Sequence, residues 1–248
     1  MVFILNSTIF EEIDPKKKKG YTIMHGKSSI SCLAVHPHKP ILAIAGVEGF
    51  FLLWDYLKKT YILQQYSFIN KDEPRTMVFS PNGEDLIVGN TKSIINILDP
   101  EDELKKKSLP LKASENYNTV VNQIVVSECG QYFATMDSDK CVCLFKRGHL
   151  DPSKPIEWLF NGKILAHNEP ITGICFGEGL GENSERKLHL FSISRDRTVV
   201  EYDIDSSNYE ILVVKRRFTI ENESRPSACI WYPKVETRGS QEDLGESK

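Results

Sequence analysis

Four times along this chain the same beat recurs. A short apolar run leads to a tip, a second apolar run follows, and a tight polar turn gives way to a third run ending in a large apolar or aromatic residue. The clearest copy opens at His25-Gly26 and passes through Ile30–Val35, the tip His36-Pro37 and residues 41–45. It turns at Glu48-Gly49 and ends on residues 50–54 and Asp55. Later tips fall at Ser80-Pro81, Ser127-Glu128 and Phe176-Gly177, and later ends at Leu98-Asp99, Phe145-Lys146 and Tyr202-Asp203. Such a period belongs to architectures in which each unit buries its faces on its neighbours, and whose usual work is to hold partners.

The runs are apolar on both faces. Leu86-Ile87-Val88 and Ile94-Ile95-Asn96-Ile97-Leu98 show little alternation, the pattern of a sheet covered on both sides. Sheets arranged radially, each pressed between two others, need middle strands of this kind. Pro81-Asn82-Gly83 and Cys129-Gly130 supply turn chemistry between first and second runs. No segment carries a helical apolar beat beside helix caps. The expected fold class is all-β: a partial β-propeller of about four blades plus the start of a fifth. Blades are expected at 22–62, 63–110, 111–160 and 161–220, with an incomplete one at 221–233. Residues 1–21 read as an N-terminal strand and basic linker, and 234–248 as a disordered polar tail. A mixed-charge loop at 101–107 is expected between the second and third blades, and a polar insertion at 177–187 on a tip of the fourth.

Composition narrows the function classes. The 248 residues are 40% hydrophobic and 26% charged, with 31 basic against 34 acidic side chains and a formal charge of −3. A general binder of nucleic acid or acidic membrane needs a basic surplus, so neither partner is expected. The apolar start Val2–Leu5 breaks at Asn6, and the longest apolar stretch, 41–47, is far short of a membrane span. A soluble intracellular protein is the expectation. The six cysteines, none in a C-x-x-C pair, read as reduced structural fillers.

Taken together, His25 near the start of one unit, Trp54-Asp55 at its end, and His167, Ser194, Asp196 and Tyr202-Asp203 in the fourth resemble WD40 repeats. The resemblance covers about residues 22–233. It implies a buried network within each blade, joining a His, a Ser or Thr, the Asp of the tight turn and a Trp. That Asp lies six residues before the Trp position. Asp196 to Tyr202 and Asp139 to Phe145 keep the count, whereas Glu48 and Lys92 stand six before Trp54 and Leu98. The repeats are worn, and the network is expected to be missing from the second blade. Segments 139–145, 162–171, 196–203 and 229–233 together resemble ciliary members of this family, WD-repeat components of the calmodulin- and spoke-associated complex near the base of radial spokes. That likeness implies a non-enzymatic scaffold in the cytoskeleton of a ciliary or flagellar axoneme, needed for ciliary or sperm-flagellar beating. The implied partners are spoke-base and calmodulin-complex subunits, with tubulin as a further candidate. Family members continue into more blades after the segment equivalent to Trp231-Tyr232-Pro233, where a polar tail follows here. The sequence therefore reads as a shortened form or fragment, whose ring either stays open or closes through a shared blade.

Each candidate site has a plain structural alternative. His167, Ser194 and Asp196 contain the ingredients of a hydrolytic triad, but no nucleophile elbow accompanies them and a satisfied structural network is the expectation. His36 and His38 make an incomplete metal site, so solvated tip residues are expected and no metal or cofactor is assigned. Lys16, Lys17, Lys18 and Lys19 fit an acidic partner or a solvated linker. Trp231 and Tyr232 lie on a run read as a strand deprived of its sheet, which would pair with Val2–Leu5 or with another chain. A propeller hydrolase would need acid–base groups at the starts of the first strands, where Ile30, Thr76, Asn122 and Thr172 stand instead. A general WD40 adaptor outside cilia is the other alternative.

Overall fold

The computed structural model describes residues 2–5, 9–14, 19–25, 29–65, 73–116, 118–149, 151–153, 155–180, 186–221 and 223–232, with side chains from Ser29 onward except at 48, 65, 180 and 186. The first three strands, β1 (Val2–Leu5), β2 (Ile9–Asp14) and β3 (Lys19–His25), form an antiparallel sheet in chain order. Four four-stranded sheets follow. The first holds β4 (Ile30–Val35), β5 (Ile41–Gly46), β6 (Phe50–Asp55) and β7 (Thr60–Gln65). The second holds β8 (Pro74–Phe79), β9 (Leu86–Asn90), β10 (Ile94–Leu98) and β11 (Leu111–Lys112). The third holds β12 (Val121–Val126), β13 (Tyr132–Asp137), β14 (Cys141–Gly148) and β15 (Glu157–Leu165). The fourth holds β16 (Ile171–Leu180), β17 (Arg186–Ser194), β18 (Thr198–Asp203) and β19 (Val213–Thr219). Each is an antiparallel meander, and neighbouring sheets meet through their first strands, β4 on β8, β8 on β12 and β12 on β16.

Stacking of sheets explains the absence of alternation. Successive residues of a strand point to opposite faces, and here both faces are interior. Ile87, Ile95 and Ile97 pack on Val121, Ile124, Phe133, Cys143 and Phe145 of the third sheet. Their neighbours Leu86, Val88 and Leu98 pack on Ala43, Ala45, Phe51 and Leu53 of the first. Ala134, Met136, Val142 and Leu144 carry the stack on to Leu190, Val200 and Tyr202 of the fourth. Each Leu, Ile or Phe so buried contributes about 1.5–3 kcal/mol relative to exposure. Outer strands lose one neighbour, and most of β19 is exposed.

One irregularity recurs in all four sheets. The register slips at the start of the first strand, between Ile30 and Cys32, Pro74 and Thr76, Val121 and Gln123, and Ile171 and Gly173. The extra residues Ser31, Arg75, Asn122 and Thr172 thus occupy one equivalent position. A bulge there bends and twists the strand where neighbouring sheets converge. A second recurrence lies at the tight turn. Gly49, Ser93, Lys140 and Arg197, each one residue after the position six before the strand-end residue, all have φ between 63° and 73°.

Several expectations are corrected. Residues 1–21 hold β1, β2 and the start of β3 rather than one strand and a linker; Lys19 and Gly20 pair with Asp14 and Ile13. The charged loop at 101–107 lies within the second sheet, between β10 and β11, and not between blades. Its fold is local: Leu104 is buried and Asp99 accepts the Glu101 and Asp102 amides. Much of the 177–187 insertion is not loop, because residues 177–180 pair with 189–186 and lengthen the β16–β17 hairpin. Residues 229–232 form no strand, and β1 pairs with β2 rather than with them. Lys16, Lys17, Lys18 and residues 233–248 lie outside the described residues.

Candidate functional site

The fourth blade carries a complete polar relay. His167 Nε2 lies 2.7 Å from Ser192 Oγ, which lies 2.6 Å from the Tyr202 hydroxyl. On its other side His167 Nδ1 is 3.3 Å from both Asp196 carboxylate oxygens. Asp196 also accepts the Asn168 and Thr198 amides at 3.0 and 2.9 Å. Burial lowers the His167 pKa, only partly countered by Asp196. For Asp196 burial pushes upward, but the two amides and His167 outweigh it and the net shift is downward.

Ser194 is not the relay hydroxyl. It donates to the Glu169 carbonyl at 2.9 Å and accepts the Asp196 amide. The reason is register. Tyr202 faces Leu190, so the diagonal neighbour within reach of its hydroxyl is Ser192; Ser194 ends the strand opposite Ile171. Counting the pairing outward from the 195–197 turn would have found Ser192, because only that serine faces Val200 on β18. No strained elbow exposes either serine; both are fully buried.

The other blades keep fragments of this arrangement. In the third, Asp139 accepts the Thr119 hydroxyl at 2.6 Å, but Phe145 offers no polar atom and stacks on Phe133 at 4.4 Å instead. In the second, Leu98 takes the aromatic position, and buried Asn96 has neither amide atom bonded among the described residues. In the first, Trp54 is buried against Tyr61, its Nε1 unbonded among the described residues. The partner inferred for it, His25, ends β3, where side chains are not described. Asp55 does a different job: its carboxylate accepts the Leu57 and Lys58 amides and caps the turn into β7. Asp203 does the same for Ser206.

Polar groups also join blades. Asp85 of the second sheet accepts Trp158 Nε1 at 3.1 Å and the Arg147 guanidinium, both from the third, and pairs with Lys107 at 3.2 Å. Glu201, buried on the outward face of the fourth sheet, is held by His189, Lys215 and Arg216. Burial would raise its pKa, but those bonds bring it down to about 2. His36 corrects another expectation. It is buried rather than solvated, packs on Phe79 and on Gly83 of the second sheet, and spends Nδ1 accepting the His38 and Lys39 amides.

Several of the exposed polar side chains stand on the rims. Along the first-strand starts stand Ser31, Arg75, Asn122 and Thr172, with Lys92, Arg195 and Arg197 on the adjoining turns, and Arg75, Asn122, Lys92, Arg195 and Arg197 are exposed. None of these is a carboxylate, imidazole or thiol suited to acid–base work. Among the described residues no three His, Cys, Asp or Glu side chains gather to hold a metal ion, and no helix is long and apolar enough to cross a membrane.

Comparison with known proteins agrees with this geometry. Residues 17–55 match the family model described as WD domain, G-beta repeat. The fold is a WD40-type β-propeller, open rather than closed. A chain in the crystal structure of the mitotic checkpoint complex superposes with a TM-score of 0.70 over 93% of this chain and 66% of that one, at 10% identity. Cilia- and flagella-associated protein 251 of Tetrahymena thermophila is 32% identical over 94% of this chain. Its Mus musculus counterpart is 26% identical over 84%. WD repeat-containing protein 75 of Homo sapiens is 25% identical over 75%. The chain spans only 25%, 15% and 22% of those three relatives.

Proposed function

We propose that this chain is a non-enzymatic scaffold of motile cilia or flagella, holding spoke-base and calmodulin-associated proteins on the axoneme. The observation that carries the reading is its similarity, along 94% of its length, to a cilia- and flagella-associated protein. The chemistry supports it. His167, Ser192, Asp196 and Tyr202 satisfy one another inside a blade, and Asp85 and Glu201 are spent on ion pairs, leaving rims and turns for recognition. Lys16, Lys17, Lys18 and Lys19 supply a basic run suited to an acidic partner such as tubulin. The test is expression of the tagged full chain in a ciliated cell, followed by detergent extraction. Retention on extracted axonemes is expected, with release as salt is raised and weaker retention when the four lysines become glutamates. A tag confined to the cell body would overturn the axonemal reading. If the confined chain still co-purified with defined partners, it would favour a general WD40 adaptor, the reading suggested by WD repeat-containing protein 75.

A further inference from the structure

The outward face of the fourth sheet is not bare. The segment 228–231 lies across β16 and β17 where a further blade would bring its first strand, and two glycines make room for it. A Cβ on Gly173 would meet the Cys229 amide nitrogen at 2.9 Å and its sulfur at 3.2 Å. A Cβ on Gly177 would come within 2.2 Å of the Trp231 ring. Trp231 stacks on Phe191 and His189, with ring centroids 5.8 and 6.1 Å away. Between the two glycines, on the same face of β16 by strand alternation, stands Cys175. The Cys229 sulfur, seated against Gly173, lies on that same face two residues from it, and both cysteines are half-buried.

We propose that Cys175 and Cys229 are an oxidisable thiol pair, and that their disulfide fastens the 228–231 segment to the fourth blade. The remaining cysteines are placed differently. Cys141 and Cys143 are buried on β14 and point to opposite sheets from their neighbour Val142, two residues apart on one face. Burial raises the Cys32 and Cys143 thiols to about 12, which keeps them protonated and unreactive. At the pair, the neighbouring Cys229 thiol lowers the Cys175 pKa. With glutathione disulfide as oxidant, the Cys175 thiolate attacks one sulfur and expels a glutathione thiolate, leaving a mixed disulfide. The Cys229 thiol gives up its proton and displaces the second glutathione. Two protein thiols are oxidised by two electrons, and one glutathione disulfide becomes two glutathiones.

The folded full chain is treated with glutathione disulfide, alkylated and digested with trypsin without reduction. Peptides 164–186 and 218–234 each carry one cysteine, so their cross-link is unambiguous. A 164–186 to 218–234 link, lost in both Cys175→Ser and Cys229→Ser and reversed by dithiothreitol, is expected. Phenylarsine oxide, which bridges close dithiols, is expected to protect the same two cysteines from alkylation in the untreated wild type, a readout needing no variant. Linkage of other cysteines, or full alkylation of both after either reagent, would overturn the proposal.

Discussion

Tyr202 and Ser192 illustrate how one buried hydroxyl can matter more than its exposed surroundings. Each is fully enclosed, so removing either leaves a partner unsatisfied in a low-dielectric interior. Ser192→Ala and Tyr202→Phe are each expected to cost about 1–3 kcal/mol, with Ser194→Ala at the lower end of that range because its two partners, the Glu169 carbonyl and the Asp196 amide, belong to an exposed and a half-buried residue that water can reach. Urea midpoints at constant m-value measure this; equal losses at 192 and 194 would count against the relay. Acid sensitivity belongs to the same scale. Glu201, Asp196 and His167 all have folded pKa values below their unfolded ones. Their ionised carboxylates and neutral imidazole favour the native state, so the benefit is full above the unfolded values and fades on acidification. For Glu201 the loss runs from about pH 4.5 toward about 2. A Glu201→Gln variant, compared with wild type by chemical denaturation at pH 7 and pH 3.5, is expected to lose less stability than wild type over that drop.

At the scale of elements, the sheets are joined by close approach of their first and second strands. Gly89 stands where the second and third blades meet closely: a Cβ there would meet Val121 Cγ1 at 2.7 Å and Cβ at 2.9 Å. Val121 is buried in a first strand and has nowhere to retreat. Gly89→Ala is expected to destabilise by about 1–3 kcal/mol through overpacking. Thermal unfolding checks this, and a neutral or raised midpoint would show that the junction yields. The repeat itself was legible in residues because buried strands, turn glycines and strand-end aromatics are local features. Lys140 and Arg197 were not recognisable as left-handed turn residues, because glycine or asparagine normally marks that conformation. The bulges at Ser31, Arg75, Asn122 and Thr172 left no residue signature either, since the slip is set by how sheets converge.

For the whole molecule, the outward face of the fourth sheet is only partly covered by the 228–231 segment. Phe218 is 42% exposed there, Ile230 on the crossing segment is 89% exposed and Tyr232 just after it is 81% exposed. Apolar side chains arranged beside a sheet edge favour association. The purified chain is expected to show a light-scattering mass that rises with concentration during size exclusion; a monodisperse monomer at all concentrations would refute this. Phe218→Lys is expected to lower the mass.

The residues alone determined the beat of about forty-five residues, the all-β class, both-face burial of the middle strands and the likeness to WD40 repeats, because these rest on neighbours near in sequence. Tertiary structure alone decided that Ser192 rather than Ser194 completes the relay, that His36 is buried on Gly83, and that Trp231 lies over Gly177. Each depends on register or on contact between strands distant along the chain, and a one-residue slip changes which side chains meet.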